Sequence, residues 1–66
     1  MKIELNKHYI TERGNVVRPV VFEDGAFTCF YEYKADNTIR KTSAQWHEDG
    51  SFAWKPGYDD IIKEDK

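Results

Sequence analysis

The side chains suited to catalysis or metal binding are few and scattered along the chain. His8, His47 and Cys29 are the only soft metal ligands in the sequence, and no CxxC or HxxxH spacing joins them. A closed zinc site needs four ligands of this kind. The sequence also lacks a glycine-rich phosphate loop and a GxSxG nucleophile motif. We therefore predict a non-enzymatic protein without catalytic residues, a metal site or a cofactor.

Three of the pairs of adjacent acids, those before the charged tail, offer another route to acid–base catalysis or calcium binding. Two of them belong to Glu-Asp-Gly triplets at 23–25 and 48–50. This is the composition of a turn, because Asp bonds its own backbone there. The third pair, Asp59 and Asp60, lacks the long run of spaced oxygen ligands that a calcium loop requires. We assign the first two pairs to turns and no chemistry to any of the three.

A set of cations and aromatic residues is suited to a phosphate-bearing ligand. Arginine pairs with phosphate through two hydrogen bonds, and aromatic rings stack on bases. If these side chains share one sheet face, the cations clamp phosphate and the tyrosines stack on the base. The predicted ligand-binding residues are Arg13, Arg18, Arg40, Lys41, Tyr9, Tyr31 and Tyr33. The alternative is that the tyrosines belong to the core and the cations to solvent.

Charge and length restrict the partners. A net charge of −2 weakens the attraction to extended nucleic acid, whereas a compact nucleotide needs only a few cations. A chain of 66 residues buries only about 60% of its unfolded surface, and a single cysteine excludes a disulfide within it. We therefore expect a dense aromatic core or a homo-oligomer. Without a long apolar run or a signal peptide, we expect a cytoplasmic protein with no membrane partner.

Short alternating segments separated by turn residues predict an all-β fold, a small antiparallel five-stranded meander or barrel-like sheet. The predicted strands cover 7–13, 16–22, 26–33, 38–46 and 51–55. Pro56 and Gly57 end the last strand. Residues 58–62 then pack Ile61 or Ile62 back onto the sheet, as a short strand or one helical turn. We assign residues 1–62 to a single domain and 63–66 to a charged, frayed tail.

The register of the last hairpin follows from its aromatic residues. A three-residue loop at 48–50 pairs Trp46 with Phe52 and Ala44 with Trp54, so that all three aromatic side chains share one buried face. A two-residue loop would put Trp46 on the opposite face from the other two. The three-residue loop also needs a left-handed residue at its end, which Gly50 provides. We therefore predict the three-residue loop.

Two further expectations depend on this hairpin. If the earlier Glu-Asp-Gly turn uses the same loop, Val21 pairs with Phe27 and Pro19 with Cys29. Because Pro19 has no N–H, we expect it at a sheet edge or a bulge. The alternative to the last hairpin is a short helix over residues 43–50, which would have fewer than about two turns.

Three short motifs, which span both ends of the chain and the last hairpin, carry a family resemblance. They are Lys7-x-Tyr9-Ile-Thr-x-x-Gly14, Asp49-Gly50-Ser51-Phe52 and Tyr58-Asp59-x-Ile61. Through these motifs the chain resembles small accessory proteins of tailed bacteriophages; the similarity touches both ends and the last hairpin, roughly half the chain, whereas residues 28–42 do not match. The resemblance implies no functional residue. It implies a protein that acts by binding, commonly as a homo-oligomer with a ligand at the subunit junctions.

The first hypothesis for function is therefore a non-enzymatic phage accessory protein for host takeover or counter-defence. It would act in the host cytoplasm by sequestering a small signalling nucleotide. One alternative is a protein–protein inhibitor of a host enzyme, acting through an edge strand or an aromatic patch. Another is a weak binder of single-stranded nucleic acid.

Overall fold

Four strands follow one another as a meander, and a fifth returns from the C-terminal part of the chain to the far edge of the same sheet. The computed structural model describes residues 2–65. The strands are β1 (Tyr9–Thr11), β2 (Val16–Glu23), β3 (Ala26–Ala35), β4 (Thr38–His47) and β5 (Ile61–Glu64). Their order across the antiparallel sheet is β4-β3-β2-β1-β5, which confirms the all-β prediction. Residues 2–65 contain no helix with the length and apolar character needed to cross a membrane.

The fifth strand lies C-terminal to the predicted one. Residues 51–55 make a single isolated bridge to the sheet, whereas β5 pairs with β1. The Asp60 carboxylate is the cause, because one of its oxygens accepts the N–H groups of Phe52 at 2.8 Å and Gly57 at 3.0 Å. These bonds hold the intervening residues in a loop, so the predicted strand at 51–55 is wrong.

The C-terminal segment is a strand rather than a helical turn. Ile61 is buried in the core and Ile62 is exposed. Lys63 and Glu64, which we assigned to a frayed tail, pair with Ile10 and Tyr9 instead. The last residue of the predicted tail, at position 66, lies outside the described residues.

The predicted three-residue loop at 48–50 is confirmed. Trp46 bridges Phe52, and the N–H of His47 donates to the carbonyl of Ser51 at 2.8 Å. Gly50 donates to the His47 carbonyl at 2.9 Å and adopts the left-handed conformation, with φ of +94°. Because β4 continues through His47, the alternative helix over residues 43–50 does not form.

The third aromatic side chain of this hairpin does not join the other two in the core. Trp46 and Phe52 are buried, but Trp54 is 64% exposed and does not pair with Ala44. The last bond of the hairpin is the one from the Ala53 N–H to the Gln45 carbonyl, at 2.9 Å. After it the chain turns into the loop that Asp60 holds. The predicted burial of Trp54 is therefore wrong.

The β2–β3 hairpin uses a shorter turn than we predicted. Asp24 and Gly25 both have positive φ, +51° and +79°, as a two-residue turn of mirror-image type requires. Val21 therefore pairs with Thr28, so the predicted Val21–Phe27 pair is wrong. A register shift between Pro19 and Val21 then restores the predicted pairing of Pro19 with Cys29. Pro19 lies at this bulge, as its missing N–H led us to expect.

The core lies on one side of the sheet, which we call the inner face. The N-terminal segment and the loop before β5 both pack there, through Ile3 and Phe52. The opposite side, the outer face, carries Phe30 and the alternate residues of each strand. The core residues are Ile3, Tyr9, Val17, Phe27, Cys29, Ala44, Trp46, Phe52 and Ile61.

Gly50 tests how tightly the hairpin turn packs on β5. A Cβ at this position would lie 3.3 Å from the Ile61 carbonyl oxygen and 3.4 Å from its Cβ, and the backbone has positive φ. We expect Gly50→Ala to lower the free energy of unfolding by about 2 kcal/mol or more, from backbone strain and crowding together.

Gly25→Ala is the matched control, measured by urea denaturation in parallel. Its φ is also positive, but a Cβ there meets nothing within 4 Å. We expect a loss of about 1 kcal/mol from the backbone conformation alone. Equal losses in the two variants would contradict the close approach of Gly50 to β5.

Candidate functional site

The structure separates the seven predicted ligand-binding residues into three groups. Side chains alternate between the faces of a strand, and cross-strand partners share a face. Arg40 pairs with Tyr33 on the inner face, whereas Lys41 pairs with Glu32 on the outer face. The core holds Tyr9; the inner face and its rim hold Arg13, Tyr31, Tyr33 and Arg40; the outer face holds Arg18 and Lys41.

Tyr9 is a core residue. Its side chain is buried, and its hydroxyl accepts a hydrogen bond from the Glu4 N–H at 2.8 Å. This bond holds the N-terminal segment against β1. A ring in this position offers no face to a ligand, so the stacking role predicted for Tyr9 does not fit the structure.

Tyr31 is also committed to the fold. Its ring packs between Tyr33, with centroids 5.4 Å apart, and Trp46, at 5.2 Å. The hydroxyl donates to Asp59 at 2.7 Å and accepts from the Asn15 amide at 2.9 Å. Burial raises the pKa of the Tyr31 phenol, and its bond to the Asp59 carboxylate raises it further. Tyr31 therefore holds the protein together rather than offering a surface for stacking.

Asp59, to which we assigned no chemistry from the sequence, lies beside Tyr31. Its side chain is fully buried and accepts hydrogen bonds from the Arg13 N–H at 3.0 Å, the Asn15 amide at 2.9 Å and Tyr31. Burial alone would raise the pKa of Asp59. The hydrogen bonds from Tyr31, Asn15, Thr11 and the Arg13 backbone outweigh that effect, so its pKa is lowered. The neighbouring isoleucines were the available signal, because an acid beside an apolar pair can be drawn into a core.

A small cleft opens at the rim of the inner face, beside this buried carboxylate. It measures about 380 Å³ and lies between the Arg13–Asn15 turn and Tyr33, Lys34 and Tyr58. Arg13 is already engaged there, with its guanidinium 4.1 Å from the Tyr58 ring centre and its Nε donating to the Tyr58 carbonyl at 3.2 Å. The charge of Asp59 adds repulsion toward an anion, so the rim cleft is poorly suited to phosphate.

A larger concavity, which we call the outer cleft, crosses the outer face. It measures about 760 Å³. Phe30 lies within it and is 51% exposed, with the Arg18 guanidinium 5.2 Å from its ring centre. The polar and charged side chains of the outer face that line this cleft are His8, Arg18, Glu32, Lys41 and Ser43. Arg18 and Lys41, two residues predicted to bind phosphate, therefore line the same cleft as the exposed ring of Phe30.

The charges of the outer cleft are available to a ligand. Within residues 2–65, the three ion pairs are made by Lys2, Lys7 and Lys41, so no carboxylate neutralises Arg18. The pair between Lys41 and Glu32 is long, at 3.9 Å, and exposed, so breaking it costs little. Residues 2–65 also contain no group of three or more His, Cys, Asp or Glu side chains that could hold a metal ion. The outer cleft is therefore suited to holding an anionic aromatic ligand in place.

The buried carboxylate gives a testable pH dependence. Because the pKa of folded Asp59 lies below its ordinary value of 3.8, the ionised side chain stabilises the fold above that pH. This contribution is lost as the pH falls through the folded pKa. We expect Asp59→Asn to cost about 2–4 kcal/mol at neutral pH, by leaving buried donors without a charged acceptor. The difference from the wild type should shrink in acid.

The measurement is urea denaturation across the acidic range, with Asp24→Asn as the control. Asp24 occupies an exposed turn position with φ of +51°, where Asn is equally well tolerated. We expect this variant to follow the wild-type pH profile. An Asp59→Asn profile parallel to that of the wild type would contradict the proposed role of the ionised carboxylate.

Cys29 gives an independent test of the core. Its side chain is fully buried, and burial raises the pKa of the thiol to about 12. Since the thiolate is the reactive form, we expect almost no reaction with a disulfide reagent in the folded protein at neutral pH. Complete reaction should follow in denaturant. Rapid labelling of the folded protein would show that the β3 side of the core opens to solvent.

Comparison of the chain with family models, curated proteins and solved structures finds no match. The resemblance to phage accessory proteins accordingly stays a prediction. The features that bear on function are therefore the side chains that the fold brings together, above all in the outer cleft.

Proposed function

We propose that this chain is a non-enzymatic binding protein that holds a small nucleotide in the outer cleft. The observation that carries the proposal is the meeting of Arg18, Lys41 and the exposed ring of Phe30 in one concavity of about 760 Å³. Sites for small ligands commonly measure about 300–1,000 Å³ and combine an apolar surface with a few polar groups. The outer cleft has both features.

Each side chain has a role that follows from its chemistry. Arg18 presents the forked donors that pair with phosphate, and Lys41 adds a second positive charge. Phe30 supplies a ring on which a base can stack. Ser43 and His8 offer hydrogen bonds to a sugar or a base edge. Of the predicted set, only Arg18 and Lys41 keep their role, and Phe30 replaces the tyrosines.

A compact nucleotide fits the charges better than a long strand of nucleic acid. The cleft contains Glu32 beside its two strong cations, and the whole chain has a net charge of −2. Each further phosphate outside the cleft would meet little positive charge, so the electrostatic gain would stop after one or two phosphates. This favours the nucleotide over the single-stranded nucleic acid that we considered as an alternative.

A homo-oligomer, which we predicted from the sequence, would enclose the bound nucleotide more fully than one copy of the chain. A tightly held small ligand has about 70–90% of its surface buried, which one open cleft on a sheet face does not achieve. Two outer faces placed together would enclose the ligand and cover the exposed Phe30 rings. In a phage accessory protein, such an assembly would withdraw a signalling nucleotide from the host cytoplasm.

The test is calorimetric titration with a panel of cyclic mononucleotides and dinucleotides, with unphosphorylated nucleosides for comparison. We expect Arg18→Ala to weaken nucleotide binding by about tenfold to a hundredfold, because a charged hydrogen bond to phosphate is lost. Phe30→Ala should cost a similar factor through lost stacking. Nucleosides should bind more weakly than their phosphates.

Arg40→Ala is the matched control, since it removes the same charge from the inner face. We expect its affinity to remain within about twofold of the wild type at moderate salt, where distant surface charges are screened. Light scattering with and without nucleotide measures the assembly. Absence of heat with every nucleotide, or equal losses in the Arg18 and Arg40 variants, would refute the proposed site.

A further inference from the structure

Strand β4 is an edge of the sheet, and half of its backbone groups point away from β3. Ala35 and Thr38 form the closing pair of the β3–β4 hairpin. Pairing alternates along an antiparallel strand, so Thr38, Arg40 and Thr42 bond to β3, while Ile39, Lys41 and Ser43 point outward. The C-terminal end of β4 confirms this alternation, since the outward groups there are used by the loop that follows.

That loop covers only part of the edge. Ala53 donates to Gln45 at 2.9 Å, and His47 donates to Ser51 at 2.8 Å. Within residues 2–65 no backbone partner lies on the outward side of residues 39–43, all of which are exposed. Three consecutive outward residues therefore offer an N–H and a carbonyl each, in the spacing that an added strand requires.

We propose that this edge binds an extended acidic segment of another protein as a sixth strand. Residues 38–46 carry two cations, Arg40 and Lys41, and no acid, although the whole chain is net negative. The two cations project to opposite faces of the sheet, because they are adjacent on one strand. A strand laid beside them gains from an acidic residue on each face.

A second copy of this chain fits the same edge poorly. Two-fold pairing of β4 with itself must match outward residues with outward residues, which allows only every other register. The two registers that use five residues within 38–43 place either Arg40 or Lys41 directly opposite the same residue of the other copy. Like charges in directly opposed positions are destabilising. The edge therefore selects a partner of opposite charge.

The apolar side chain next to the cations defines the partner further. Ile39 is 61% exposed, and its side chain lies on the outer face of the sheet, as does that of Lys41. An antiparallel segment with two adjacent acids followed by a β-branched residue puts the acids opposite Lys41 and Arg40. The β-branched residue then covers Ile39. This partner is an acidic β-strand, rather than a nucleic acid or a membrane.

The probe is a capped hexapeptide, Thr-Val-Glu-Glu-Val-Thr, with a second peptide in which lysines replace the glutamates. Amide hydrogen exchange by NMR reports the binding mode directly. In the free protein we expect slow exchange at Arg40 and Thr42 and fast exchange at Ile39, Lys41 and Ser43. The acidic peptide should slow these last three amides and bind about tenfold tighter than the basic one.

Two pairs of variants separate the backbone contribution from the charge. Ile39→Pro removes an outward N–H without touching a bond to β3, and should abolish protection of the edge, whereas Ile39→Thr should retain it. Arg40→Glu should weaken the acidic peptide about tenfold, whereas Lys63→Glu, the same change on the far edge, should alter it less than about twofold. Arg40 and Ile39 do not line the outer cleft.

Several results would overturn the proposal. They are equal binding of the two peptides, absence of edge protection at saturating acidic peptide, protection that survives Ile39→Pro, and edge protection that grows with protein concentration without peptide. The last result would show pairing between copies. A nucleotide in the outer cleft leaves the outward amides exchanging, so failure here is distinguishable from failure of the nucleotide site.

Discussion

The hydrogen bonds that the buried Asp59 carboxylate accepts are the interaction on which the rest of the structure depends. They tie the loop before β5 to the turn between β1 and β2 through Arg13 and Asn15, and to β3 through Tyr31. The Asp59 backbone carbonyl accepts the Trp46 indole N–H at 3.0 Å, which adds β4. Four parts of the chain thus converge on one residue. A buried charge with this many donors is stable, and removing any donor leaves the charge less compensated.

This arrangement determines which surfaces remain for binding. Residues 2–65 contain two long segments outside the strands, and both cover the inner face. Within residues 2–65 neither segment covers the outer face, so Phe30 and the neighbouring cations stay accessible there. The same arrangement leaves the outward side of residues 39–43 in β4 without a backbone partner. Both proposed sites lie on the surfaces of the sheet that these two segments leave uncovered.

Local signals predicted the parts of the fold that local interactions decide. Alternation along β3 and the glycine requirement of the last hairpin led to the correct strand and the correct three-residue loop. The predicted length of the β2–β3 turn was wrong because Asp24 adopts a left-handed conformation, which shortens the loop. A bulge then restores the register. The predicted position of the fifth strand was wrong because the Asp60 carboxylate holds residues 52–57 in a loop, and because β5 pairs with β1, which is distant in sequence. The predicted ligand-binding residues lie on different faces of the sheet for a similar reason, because the face of each side chain depends on the pairing register of its strand.

The two proposed sites meet at Lys41. Its backbone points outward at the edge of β4, while its side chain lines the outer cleft and lies 3.9 Å from Glu32. An acidic strand at the edge would place a carboxylate next to this ammonium and draw it away from a phosphate in the cleft. A nucleotide would compete for the same charge in return, because coupling between two bound ligands is reciprocal. If both sites are used, they would therefore oppose each other through one side chain, and Arg40, on the inner face, would take no part in that competition.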